Sequence, residues 1–142
     1  MSDQTAAVAH PDLAEVVDAW DAALGAKDLD AAIALYHEDC VLESPLVCHL
    51  LGTEEGVVHG RDALREFVAQ VFAHQPPERR RYRTPFLSDG RRVVWEYPRE
   101  SPDGDQMDFT EVMEIHDGRI ARHRVYWGWN GVRILMRDEH HR

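Results

Sequence analysis

The stretch MDFTEVMEIHDGRIARHRVYWGW, residues 107–129, alternates apolar and polar residues on both sides of Asp117-Gly118, the pattern of two strands joined by a tight turn. It also sets an acid, Glu111, and a histidine, His123, among apolar residues, so the turn decides whether the two are buried. With a two-residue turn, Ile115 pairs with Ile120, and Glu111 lies opposite Arg124 on a face shared with Arg122. With a three-residue loop, His116-Asp117-Gly118, the pairing slips by one residue and Glu111 faces His123. This second register gives one face of Phe109, Glu111, Met113, Ala121, His123, Val125 and Trp127. The other face is Thr110, Val112, Glu114, Ile120, Arg122, Arg124 and Tyr126. A slip of one residue turns every side chain over, and only this register keeps both arginines in water, so it is the one expected.

A carboxylate among Phe109, Met113 and Val125 loses hydration, and His123 at the opposed position is the partner that could hold it ionised. Such a pair could serve as a general base oriented by an acid, or as an acid and base sharing one proton. It could equally be two polar groups satisfying one another in a core.

The rest of the chain surrounds this hairpin with one compact domain of 142 residues, of which residues 1–10 read as a flexible lead-in. No apolar run approaches the roughly 20 residues that span a bilayer, and no charged start precedes one, so a soluble, cytoplasmic protein without a membrane partner is expected. Cys40 and Cys48 are the only cysteines and read as reduced, packed thiols. Charge is uneven: residues 1–60 hold twelve Asp or Glu against one Lys, within a net charge of -10. An acidic chain of this kind repels phosphate backbones. The basic run at residues 78–83 therefore reads as a solvated strand edge or a contact for the acidic half, and no nucleic-acid partner is expected.

Pro11 at a first helical turn, Asp12 and Glu15 near its positive end, and Leu13, Val16, Val17, Trp20, Ala23 and Leu24 at helical spacing predict a first helix that Gly25 stops. Asp28 caps a second, with Leu29, Ala32, Ile33 and Tyr36 on its apolar face. Residues 40–44 predict a short strand halted by Pro45, and residues 46–59 a loop with room for a small hairpin. Residues 61–73 predict a third helix with Leu64, Phe67, Val68, Val71 and Phe72 on one face, ended by Pro76-Pro77. Four strands follow at 80–88, 91–98, 107–116 and 119–128, with Asp89-Gly90 and Asp117-Gly118 as turns. Helices covering one face of an antiparallel sheet make an α+β domain.

The segment DAWDAALGAKDLDAAIALYHEDCVLESP, residues 18–45, together with GRDALREF at 60–67 and DGRI at 117–120, resembles the nuclear transport factor 2-like superfamily over nearly the whole chain. That group includes ketosteroid isomerases, SnoaL-type polyketide cyclases, limonene epoxide hydrolase and scytalone dehydratase. The resemblance implies a cone in which a strongly curved antiparallel sheet wraps around three N-terminal helices and encloses an apolar pocket. It also implies a homodimer through the outer sheet face, and puts Glu111 and His123 on the pocket wall. Carried over by position, the oxyanion-hole tyrosine of the ketosteroid isomerases falls on Trp20, their base aspartate on Ser44, and their hydrogen-bond-donating aspartate on Glu111. One aspartate of the epoxide hydrolases falls on Val125. Serine takes no carbon-bound proton without a base beside it, and indole is a donor only, so the isomerase machinery is not reproduced. For SnoaL-like and scytalone dehydratase-like members the resemblance implies chemistry that depends on one or two histidines or acids aimed into the cavity at positions that vary, an arrangement that Glu111 with His123 permits without being its signature.

Glu111, His123 and Tyr36 are therefore the candidate catalytic residues, Tyr36 because a buried hydroxyl needs a partner. Trp20, Ser44, Phe67, Glu96, Phe109, Met113, Val125 and Trp127 are the candidate ligand-binding residues. Of these, Trp20 could be simple packing, and Ser44 or Glu43 turns inward by alternation, not both. Glu96 turns inward only with a three-residue Ser88-Asp89-Gly90 loop, and Trp127 with Trp129 could close the pocket or meet a partner subunit. No phosphate loop, dinucleotide fingerprint, nucleophile elbow or zinc-like spacing occurs, and Glu139-His140-His141-Arg142 reads as a tail, so neither cofactor nor metal is expected. The expected function is cofactor-independent acid/base proton transfer in an apolar pocket, as an isomerase, cyclase, dehydratase or epoxide-opening enzyme. Its substrate would be polyketide-, terpenoid- or steroid-like. The alternative is a non-catalytic small-molecule-binding or accessory dimerisation protein.

Overall fold

The computed structural model describes residues 11–74, 85–100 and 106–137. The lead-in, the Pro76-Pro77 terminator, the basic run, most of the strand expected at 80–88 and the histidine-bearing tail fall outside them.

Helix α1 (Pro11–Ala26) buries Leu13, Val16, Val17, Trp20 and Ala23, the face that the spacing predicts. It runs through Gly25 and ends one residue later, because Lys27 takes the left-handed conformation (φ 53°) that closes the last turn. Lys27 N–H donates to the Leu24 carbonyl and Asp28 N–H to the Ala23 carbonyl, which satisfies two orphan acceptors of the helix end. Asp28 then accepts from Ala31 N–H (3.1 Å) and caps α2 (Leu29–Ala34).

Tyr36 does not continue α2. It opens strand β1 (Tyr36–Glu43), because long-range hydrogen bonds claim the backbone there: Leu35 carbonyl accepts from Ile120 N–H at 2.8 Å, and Tyr36 carbonyl accepts from Arg61. These bonds outweigh a helical period that, on its own, would carry Tyr36 onto the inner face of the second helix.

Where a loop is expected, Ser44 caps and Pro45 opens a short helix α3 (Pro45–Leu51), ended by Gly52 at φ 68°. Strand β2 (Val57–His59) returns antiparallel to β1, and α4 (Gly60–His74) follows. Leu64, Phe67, Val68 and Phe72 of α4 are buried, each such burial stabilising by about 1.5–3 kcal/mol. The chain continues through β3 (Leu87–Ser88), β4 (Arg92–Glu100), β5 (Gln106–His116), β6 (Arg119–Trp127) and an additional helix, α5 (Trp129–Met136).

The six strands form one curved, unclosed sheet in the order β2-β1-β6-β5-β4-β3. All neighbours are antiparallel except β1 and β6, which run parallel. The α+β architecture, with helices α1, α2 and α4 sharing one core with the sheet, matches the expected cone, with one parallel pair inside it. One core cluster joins those helices to Leu42, Val93, Trp95, Met113, Ile115 and Ile120. A second, of Met107, Phe109 and Ile134, lies under α5. Among the described residues, no helix is long and apolar enough to cross a membrane.

Candidate active site

The last hairpin combines the two registers that its sequence permits. Asp117 and Gly118 form a two-residue turn with φ 51° and 75°, both positive, as a type I′ connection requires. His116 pairs with Arg119 and Ile115 with Ile120, but Glu114 then pairs with Arg122. Ala121 is thus an extra residue, a β-bulge that shifts the register by one beyond the turn.

Three expectations are corrected by this bulge. Ile120 is buried instead of lying on the outer face, Ala121 is half-buried at the bulge, and Glu111 sits opposite Val125 while His123 sits opposite Met113. The predicted separation of charge survives, since the slip comes two residue pairs beyond the turn instead of inside it. Arg122 is exposed, Arg124 donates to Glu114 at 3.0 Å on the outer face, and Glu111 and His123 are each 2% exposed.

Although not directly opposed, Glu111 and His123 meet on the diagonal, with His123 Nε2 2.6 Å from Glu111 Oε1. On the other ring nitrogen, Tyr36 hydroxyl lies 2.8 Å from Nδ1, and Trp20 Nε1 donates to that hydroxyl at 3.1 Å. Indole only donates, so the Tyr36 oxygen accepts from Trp20, and among the described residues Nδ1 is the acceptor within reach of the phenol's own proton. With the phenol donating there, His123 carries its proton on Nε2, where the Glu111 carboxylate accepts it. The second oxygen of the carboxylate, Oε2, is buried and has no hydrogen-bond partner among the described residues.

Burial pushes the Tyr36 phenol far above its ordinary range, and the negative charge of Glu111 pushes it the same way against the Trp20 hydrogen bond. Tyr36 therefore stays a neutral donor. Trp20 stands edge-on to His123 (5.5 Å between centroids) and to Trp95 (5.7 Å), while the rings of Tyr36 and His123 lie 6.1 Å apart and nearly parallel. Aromatic rings thus confine the imidazole on two sides.

Of the sequence-predicted residues, the structure brings together Glu111, His123, Tyr36 and Trp20 in one hydrogen-bonded chain. Met113 flanks His123 and Val125 flanks Glu111 as direct cross-strand neighbours. Phe109, next on that face, packs edge-on against Trp127 at 4.7 Å, over the cluster beneath α5. Phe67 is buried in α4 as part of the main core. Ser44 is buried, but its hydroxyl accepts from Leu46 N–H (3.2 Å) as the cap of α3. Glu96 is exposed: Ser88 pairs with Val93, so the three-residue loop that would turn it inward does not form. Trp129 is 71% exposed on α5 and does not close over Trp127.

Two residues escaped the sequence reading. Trp95 lies directly opposite Glu111, and the alternation that sends Glu96 outward is the signal that sends Trp95 in. Arg61 holds the Tyr36 carbonyl through Nε at 2.8 Å and through Nη2, and nothing in the local pattern announces it.

Cys40 and Cys48 are free thiols, and burial raises the first while the Arg61 charge opposes that shift. Among the described residues, no group of three His, Cys, Asp or Glu side chains is placed to hold a metal ion. A shallow surface depression of about 200 Å³ is lined by Asp89, Arg91, Arg92 and Glu114, none of which belongs to the chain from Trp20 to Glu111.

The sequence profile of the SnoaL-like domain matches residues 17–123, from α1 to His123 itself. Among solved structures, an NTF2-like protein of unknown function from Burkholderia pseudomallei superposes with TM-score 0.71 at 22% identity, over 87% of this chain and 96% of that one. TerC co-crystallized with polyporic acid gives 0.70 at 24%, over 89% and 98%. A steroid delta-isomerase from Pseudomonas aeruginosa gives 0.68 at 20%, over 90% and 88%. These likenesses establish the shared fold. No curated protein matches the chain in sequence.

Proposed function

The chain belongs to the SnoaL-like domain family of the nuclear transport factor 2-like superfamily, and from that premise we propose that it is a small-molecule enzyme that moves a proton with Glu111 as base. The observation that carries this reading is the free Oε2 of Glu111. A buried carboxylate oxygen with no partner costs stability unless some other molecule uses it, and a substrate hydrogen is what an acceptor at that place can take. His123 Nε2–H holds the other oxygen, so the base keeps its orientation, and Tyr36 with Trp20 keeps His123 in the donating tautomer.

Indole donates and does not accept, so the bonds from Glu111 through His123 and Tyr36 hand no proton on past Trp20. In this scheme the captured proton goes back to the substrate. Isomerisation, cyclisation and dehydration fit this return better than net hydrolysis does. The substrate is a mostly apolar molecule of polyketide, terpenoid or steroid-like size, as the walls of Trp95, Met113 and Val125 favour and as the names of TerC's ligand and of the steroid delta-isomerase suggest by likeness. No cofactor takes part in this scheme, and a second copy is the partner proposed for the outer sheet face.

Turnover of a panel of unsaturated ketones and linear polyketide-type esters, followed by ultraviolet absorbance, tests the reading with Glu111→Gln and His123→Ala. Unchanged turnover in both variants removes it.

A second reading, a binding or accessory protein without chemistry, draws on Ser44 and Trp20. They stand where the resemblance to ketosteroid isomerases would put the base and the oxyanion tyrosine, and Ser44 is occupied as a helix cap. Stoichiometric binding of the same panel without turnover would favour it.

A further inference from the structure

Tyr36 stands at a weak point of the sheet. Between the pairs Tyr36↔Ile120 and Val41↔Arg122, β1 advances five residues while β6 advances two, so the residues just after Tyr36 leave the ladder. A strand start followed by so large an irregularity does not hold a side chain to a few tenths of an ångström by its own pairing. Yet the Tyr36 hydroxyl must sit on His123 Nδ1, because that bond, together with the Glu111 carboxylate on Nε2, decides which ring nitrogen carries the proton.

The missing constraint comes from α4. Gly60 opens that helix at φ 83°, and a Cβ there would stand 3.5 Å from the Glu38 carbonyl oxygen, so the first turn lies close against the irregular part of β1. Arg61, the next residue, lays both Nε–H and Nη2–H on the one carbonyl of Tyr36. Among the described residues, no carboxylate bonds to Arg61, so its fork has no competing partner, and it is half-buried at the place where β1 departs from β6. Two donors converging from one planar group fix a direction as well as a distance, which the single point charge of lysine does not.

We propose that Arg61 is a positioning residue for the proton-transfer pair: by gripping the Tyr36 carbonyl it holds the Tyr36 hydroxyl on His123 and thereby sets the tautomer that faces Glu111. The inference rests on the reading of that pair as the working site. Arg61 touches neither His123 nor Glu111, and acts through the Tyr36 backbone.

The test is the ¹⁵N spectrum of the His123 ring in the full chain at neutral pH, which separates a protonated from an unprotonated ring nitrogen without any substrate. In the unaltered protein, one nitrogen gives a pyridine-type signal and the other a pyrrole-type signal. Arg61→Met is expected to draw the two signals toward one another as the second tautomer becomes populated, while far-ultraviolet circular dichroism stays unchanged. Arg61→Lys, with one aligned donor, is expected to give a smaller shift in the same direction. Signals in Arg61→Met identical to those of the unaltered protein overturn the proposal, and should that variant not fold, identical signals in Arg61→Lys overturn it. Averaged signals in the unaltered protein would instead sink the reading of the hydrogen-bonded chain itself, so the two failures are distinguishable.

Discussion

His123 reaches Glu111 across a diagonal of the β5–β6 pair, 2.6 Å from nitrogen to oxygen, while each has a different residue directly across the ladder. The contact therefore depends on the length of both side chains as much as on register. It also leaves one carboxylate oxygen turned away from the imidazole.

Removing the charge and removing its partner should have opposite consequences. In Glu111→Gln the amide oxygen still accepts from Nε2–H and no buried charge remains, so stability in urea should hold or rise, while any turnover falls by about 10²–10⁴-fold. In His123→Ala the carboxylate is left buried with neither oxygen bonded, which should cost about 3–5 kcal/mol. Equal destabilisation by both variants would contradict the assignment of donor and acceptor.

Tyr36→Phe keeps the ring and removes the hydroxyl between Trp20 and His123. The loss of a buried acceptor and donor together should cost about 1–3 kcal/mol by urea titration, and the His123 ring should become a mixture of tautomers in its ¹⁵N spectrum. A single, unaltered tautomer in this variant would show that the phenol does not direct the imidazole.

The elevated Tyr36 phenol predicts a pH dependence with a definite sign. The unfolded chain loses the phenolic proton near its ordinary value of about 10, whereas the folded chain keeps it well above that. The contribution to stability is whole below about pH 10 and is lost as pH rises from there toward the folded value, at up to about 1.4 kcal/mol per pH unit. Of the four tyrosines, Tyr36 should give no phenolate absorbance until the protein unfolds. Titration of all four before the loss of secondary structure would refute this.

Deleting Ala121 removes the residue that shifts the register while leaving the turn intact. Ile120 would then be followed directly by Arg122, so Arg122 stays opposite Glu114 and His123 opposite Met113, and each residue of β6 keeps its face. The variant should therefore keep a cooperative melt, changed by about 0.5–3 kcal/mol as is usual for a single alteration. Loss of the cooperative melt would mean that the local twist of the bulge is needed to seat β6 against β5.

The inward face of the last hairpin was legible because charge sorting is a strong constraint: Arg122 and Arg124 on one side and Glu111 and His123 on the other admit few arrangements. The bulge was not, since a longer loop and an extra residue after a short turn place the far ends of the strands on the same faces. Tyr36 was legible as a site residue and misplaced as a helical one. Leu29, Ala32, Ile33 and Tyr36 keep helical spacing, and what ends the helix is a carbonyl bond to Ile120, far along the chain. For α3, Ser44-Pro45 and Gly52 were visible as cap and stop, but the seven residues between Ser44 and Gly52 are too few for a period to show. Arg61 was invisible as a site residue because its partner is a backbone carbonyl, which the sequence does not mark.

The parallel pairing of β1 with β6 gives the site a place in the order of folding. Tyr36 and His123 stand 87 residues apart, and their bond forms between the first strand of the sheet and the last. Closing so long a loop comes late, since the entropy of closure is met before the contact rewards it. A chain emerging from the ribosome holds the aromatic half of the network well before the imidazole and carboxylate exist to meet it. The proton transfer proposed for this site would then become possible only once β6 has docked beside β1, late in the order of folding.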